Sequence, residues 1–225
     1  MRTVVFSVLL LTASGAALAQ LEAISRQDAT TALRAALEKG SLAAVANLGR
    51  VDGFLGNPQV KIPLPESAQR IEHTLRRVGM GKYADELIVA MNRAAESAVP
   101  EAKALFVQSV RKMTVQDAKG IITGGETAGT DYFRRTMRDP LHQRFRPIVE
   151  KATARVQLAR RYEQFADKAL AVGMLKKDDA DLDEYVTQKA LDGLYLMVAE
   201  EEKKIRKDPI GTGSSIIRKV FGAML

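Results

Sequence analysis

Seven residues in one short stretch have the types and spacing to bind an anion together. Gly124 and Gly125 form the only Gly-Gly pair in the chain. Thr127 and Thr130 follow with hydroxyls, Arg134 and Arg135 lie one to two helical turns on, and Arg138 stands behind them. Glycines between two helices leave backbone N–H groups open at the start of the second, where the positive end of the helix dipole favours a negative ligand. The stretch is not a P-loop, because the closing Gly-Lys-Ser/Thr is missing. The plainer reading is a helix stop and a tight turn, for which glycine is the usual residue.

The arginines open a basic run. Positions 134–161 hold nine basic residues against two acidic ones, a charge of +7 equal to that of the whole chain, whereas 178–208 hold ten acidic against five basic. One reading is a surface that meets an anionic partner, such as phospholipid head groups, lipopolysaccharide or an acidic protein. The other is that the basic and acidic helices face one another or are both simply solvated, where isolated ion pairs contribute little. Nucleic acid is not expected, since the run lacks interleaved aromatic residues for base stacking.

Signals for other chemistry are weak. Asp179, Asp181 and Asp183 match the first alternate ligands of a calcium loop, but Glu184 stands where glycine is needed and Ala190 where the closing glutamate is needed. Carboxylates favoured at a helix start explain the cluster better. His73 and His142 lie on different predicted helices with no ligand partner one turn away, and no nucleophile elbow occurs. No metal or cofactor is expected. A pair of carboxylates brought together from distant helices would still permit acid–base catalysis. A carboxylate hydrolase and a chaperone-like interaction protein are therefore the alternatives to a binding module.

The elements that position these residues are helical. Apolar residues make up 46% of the 225 positions and aromatic residues 5%, with no tryptophan and no cysteine. The core must come from Ala, Leu, Val, Ile and Met, without disulfides. Arg2, the apolar run 4–11 and the small-x-small pattern Ala17-Leu18-Ala19 read as a signal peptide over 1–19, cut before Gln20. An uncleaved anchor is the rival reading. No later stretch is long and apolar enough to span a membrane, so positions 20–225 are expected to form a single soluble helical domain.

The pattern predicts an all-α bundle of seven to nine helices with no sheet. A capping box at Ser25 to Asp28 is expected to start the first helix, and Gly40 to interrupt it. The loop 50–65 has three prolines, yet Phe54, Leu55, Val60, Ile62 and Leu64 are apolar and should pin it to the core. Helices are expected over 66–78, 82–99 and 100–113, and over 115–122 with Thr114 as N-cap and Asp117 near the dipole. Others are expected over 127–137, over 141–173 with a bend near Pro147, over 182–207, and over 214–221. The 182–207 helix has the clearest 3.6-residue period, with the charged run Glu200 to Lys204 as its solvated end.

Four segments occur in order: LGRVDGFLGNPQVKIPLP (48–65), MNRAAESAVPEAKALF (91–106), MTVQDAKGIITGGETAGTDYFRR (113–135) and DLDEYVTQKALDGLYLMVAEEEKKIRKDPIGTGS (181–214). With this series the chain resembles a bacterial domain-of-unknown-function family, number 4197. The resemblance implies a signal-bearing helical protein of Gram-negative bacteria and carries over no catalytic or binding residue. The reading that follows is a periplasmic binding module for an anionic envelope component or partner protein.

Overall fold

Residues 13–77, 79, 81–154 and 181–208 are described by the computed structural model, and among them every regular element is helical. In chain order these are α1 (Ala13–Leu48), α2 (Glu66–Arg77), α3 (Gly81–Ala98), a 3-10 turn (Val99–Glu101), α4 (Ala102–Lys112), α5 (Val115–Ile122), α6 (Ala128–Thr153) and α7 (Leu182–Lys207). The expected helix over 214–221, the part of the 141–173 helix past residue 154, and residues 1–12 of the leader lie outside the described residues. No helix among the described residues is long and apolar enough to cross a membrane.

At the centre of the bundle is α6, which packs on α3, α4, α5 and α7, while α1 closes over α4, α5 and α7. Its buried side chains Phe133, Met137, Leu141, Phe145 and Val149 recur every fourth residue and form one apolar stripe. Phe106 of α4 meets Phe133 edge-on at 4.9 Å between ring centres, a favoured geometry for aromatic pairs.

Two helices are longer than the sequence predicts. The expected break between 127–137 and 141–173 is absent, and α6 is continuous across Pro140 and Pro147. Both prolines face solvent, so water can satisfy the carbonyls they leave unpaired. A proline inside a helix costs about 3 kcal/mol. The buried stripe on either side, at about 1.5–3 kcal/mol per large apolar side chain, offsets that cost.

Likewise α1 neither starts at the Ser25 capping box nor stops at Gly40. It continues with Ala32, Leu33, Ala36 and Leu37 buried before Gly40, and Ala44, Val45 and Leu48 after it. A Cβ on Gly40 would sit 3.3 Å from Ile205 Cδ1 and 3.5 Å from Glu201 Cβ. The glycine lets α1 approach α7 rather than ending the helix, and packing outweighs the roughly 1 kcal/mol helix penalty of glycine.

The loop 50–65 packs down as expected: Phe54, Val60, Ile62 and Leu64 are buried, while Leu55 is half-buried. Two buried polar side chains of α3 hold it. Glu96 accepts from the N–H groups of Phe54 and Leu55 at 3.0 and 3.1 Å. Asn92 accepts from the Ile62 N–H at 2.8 Å and donates to the Ile62 carbonyl at 2.9 Å. Buried backbone groups outside regular structure need such partners.

Candidate functional site

The turn between α5 and α6 is made as its residues dictate. Thr114 and Asp117 close a full capping box at the start of α5: the Asp117 N–H donates to the Thr114 hydroxyl, and the Thr114 N–H donates to the Asp117 carboxylate. The Thr114 hydroxyl and N–H hold the Asp117 carboxyl below the usual carboxylate range. The helix ends at Ile122, Gly124 and Gly125 sit exposed in the turn, and the half-buried Thr127 occupies the N-cap of α6 without a side-chain capping bond.

The first turn of α6 does hold an anion, and it belongs to the chain. The Gly129 N–H donates to one oxygen of Glu202 at 2.9 Å. The Thr130 N–H and hydroxyl donate to the other at 2.8 and 2.9 Å. Arg206, one turn further along α7, donates to Glu202 and also to the carbonyl of Ile121 at 3.0 Å. Thr130 is 1% exposed and Glu202 6%. This carboxylate fills the position that a bound phosphate takes at other helix starts. The expectation that Glu202 belongs to a solvated helix end is therefore corrected. Position 202 continues the apolar stripe four residues after Val198 and three before Ile205, and that register was the signal available in the sequence.

Arg134, Arg135 and Arg138 stand apart from this clamp, on the solvent side of α6. With Asp131, Thr136, Asp139 and Pro140 they line an open hollow of about 440 Å³. Among the described residues no carboxylate pairs with any of the three. The Arg134 guanidinium lies 5.2 Å above the Tyr195 ring, Arg135 lies 5.8 Å from the Tyr132 ring, and Arg138 donates to Gln188 at 3.0 Å. The candidate residues thus fall into three places: Gly124, Gly125 and Thr127 in the turn and its N-cap, Thr130 committed internally, and three arginines on an open face.

Further along, the basic and acidic helices do pair. α6 and α7 run antiparallel, with residue 129 beside 202 and residue 153 beside 183. Arg146 donates to Asp181 at 2.8 Å and to Glu184 at 2.6 Å, and His142 meets Glu184 at 2.8 Å. Burial pushes the Asp181 carboxyl up, but the Glu184 N–H and the Arg146 guanidinium outweigh it, leaving Asp181 below the usual range. Glu184 is lowered in the same way, burial being outweighed by Gln188, His142 and Arg146. Burial raises Asp183, against the pull of the Thr153 hydroxyl that donates to it. Asp181 also caps α7 by accepting from the Glu184 N–H, which is the helix-start role expected of the acidic cluster. Asp178 and Asp179 lie outside the described residues. His73 is exposed. Among the described residues no three His, Cys, Asp or Glu side chains cluster as metal ligands would.

A family profile described as "Protein of unknown function (DUF4197)" matches residues 23–222. No curated protein matches the chain, and no solved structure does.

Proposed function

We propose that this chain, which belongs to the DUF4197 family, is a non-catalytic binding module for an anionic component of the cell envelope, received on the open face of α6. The leader-like residues 1–19 support export to the periplasm as part of the same reading. One observation carries it. Arg146 commits its charge to Asp181, Glu184 and Glu150, whereas Arg134, Arg135 and Arg138 line a hollow with no carboxylate partner among the described residues. Guanidinium groups beside one another whose charge no carboxylate neutralises attract a negative ligand and speed its arrival.

Thermal unfolding of the purified protein tests this against inorganic phosphate, anionic phospholipid micelles, lipopolysaccharide and cell-wall fragments. A ligand that binds only the folded state raises the melting temperature. The expected result is a rise with at least one of these that vanishes in the Arg134→Glu, Arg135→Glu variant. A rise that survives both charge reversals would remove this face from consideration.

A carboxylate-based hydrolase is the second reading, favoured by one feature: Asp183 is a carboxyl raised by burial, two positions from the Asp181 that pairs with Arg146. Raised acids of this kind serve as proton donors in active sites. An Asp183→Asn variant that keeps every activity found in a hydrolase substrate screen would end that reading.

A further inference from the structure

We infer that the hollow on α6 takes a compact phosphate-type group, gripped by Arg134, Arg135 and Arg138 and completed by the hydroxyl of Tyr195. This rests on the anion-binding reading above and narrows its ligand. Three features support it.

The cations are all arginines, whose planar forks offer paired donors matched to phosphate oxygens. All lie within five consecutive positions of one helix. Asp131 and Asp139 bracket them in the lining of the same hollow, about 12 Å apart along the axis at 1.5 Å per residue. A long polyanion lying along α6 would meet a carboxylate at each end, whereas a single compact group fits between them. Negative charge at both ends therefore selects against extended acidic chains.

Tyr195 supplies the third feature. It is 2% exposed, and its hydroxyl has no hydrogen-bond partner among the described residues, a situation that calls for explanation in a folded protein. Burial keeps the phenol protonated well above its ordinary range, and Arg134, Arg138 and Asp139 are the charged groups acting on it. All three line the hollow. Arg134 covers the Tyr195 ring. Tyr195 stands outside the lining of the free hollow; in the proposed complex a phosphate draws the Arg134 guanidinium off the ring and reaches the hydroxyl as a fourth donor. A phosphate monoester has three terminal oxygens to meet these donors, where a carboxylate has two.

The test measures binding at fixed ionic strength to inorganic phosphate, to phosphatidylcholine vesicles carrying phosphatidic acid, and to polyaspartate. The variants are Arg134→Lys and Tyr195→Phe. The expected result is binding of free phosphate or of the vesicles, the stronger of the two identifying the source, at least about tenfold tighter than polyaspartate. Both variants should weaken it about fivefold or more, since each loses one charge-assisted donor geometry. Tyr195→Phe removes only an unpaired hydroxyl, so its melting temperature should hold or rise. That separates a ligand-facing role from a structural one. Polyaspartate binding as tightly as phosphate, or Tyr195→Phe binding phosphate unchanged, overturns the phosphate assignment while the anion-binding reading stands. Failure of all three probes overturns both.

Discussion

Thr130 and Glu202, seventy-two residues apart in sequence, are joined twice: the Thr130 N–H and hydroxyl both donate to the same carboxylate oxygen, at 2.8 and 2.9 Å. With Gly129 on the other oxygen and Arg206 reaching on to the Ile121 carbonyl, this one side chain ties the far half of α7 to the end of α5 and the start of α6. Four donors converge on a carboxylate that water barely reaches.

Glu202→Ala should therefore destabilise the protein by about 3 kcal/mol, the usual result of removing one partner from a buried charged pair. Two backbone N–H groups, a hydroxyl and the Arg206 guanidinium would lose their acceptor together. Urea unfolding measures the loss. A change below about 1 kcal/mol, the range of exposed ion pairs, would show that solvent replaces the carboxylate freely.

Glycines on two helices should respond with opposite sign. A Cβ on Gly193 would come 2.8 Å from Phe54 Cε1 and 3.2 Å from Val60 Cβ, so Gly193→Ala drives α7 into the loop 50–65 and should cost about 1–3 kcal/mol. Gly120 has nothing within 4 Å of that position and faces solvent in α5. Gly120→Ala should stabilise by about 0.5–1 kcal/mol through helix propensity. Denaturation midpoints of the two variants on either side of the parent value are the expected outcome.

The α5 cap should carry a pH signature. The folded state holds the Asp117 carboxyl below its ordinary range, so its contribution is complete above about pH 4, the unfolded value for aspartate. It is lost as pH falls through the lower folded value. Thr114→Ala should cost about 1 kcal/mol at pH 7, and the gap between variant and parent should shrink in strong acid. Stability curves for both from pH 7 to pH 2 check this, and a gap that stays constant would assign the loss to something other than the ionised cap.

Asn92 predicts a local effect. Its side chain serves both backbone groups of Ile62, each buried, and Asn92→Ala leaves both without a partner. A loss of about 3 kcal/mol is expected from two such groups. Hydrogen exchange at the Ile62 amide should accelerate more than exchange at amides of α6, because the opening is confined to the loop. Equal acceleration everywhere would mean that the loop and the bundle unfold as one unit.

Much of this architecture was legible in residue order. The all-helical class, the Thr114 N-cap, the boundaries of α2 and α7, and the burial of the loop through Phe54, Val60, Ile62 and Leu64 follow from periodicity, capping residues and prolines. These are local properties, decided within one or two turns of chain. Breaks predicted at Gly40 and between Met137 and Leu141 did not occur, because each helix is held on both sides by contacts with other helices, and local propensity is the weaker quantity there.

The candidate site divides along the same line. Sequence alone determined that a glycine turn precedes a helix rich in arginine and that an acidic segment follows the basic one. Only the tertiary structure decided which charges are spent. Antiparallel packing of α6 on α7 puts Arg146 against Asp181 and Glu184, puts Glu202 on the amides of Gly129 and Thr130, and leaves Arg134, Arg135 and Arg138 lining an open hollow. The reason is geometric. Residues in contact across α6 and α7 are separated by some thirty to seventy positions in the chain, and the rotation of each helix about its axis, set by its buried stripe, decides whether a charged side chain meets a partner or water.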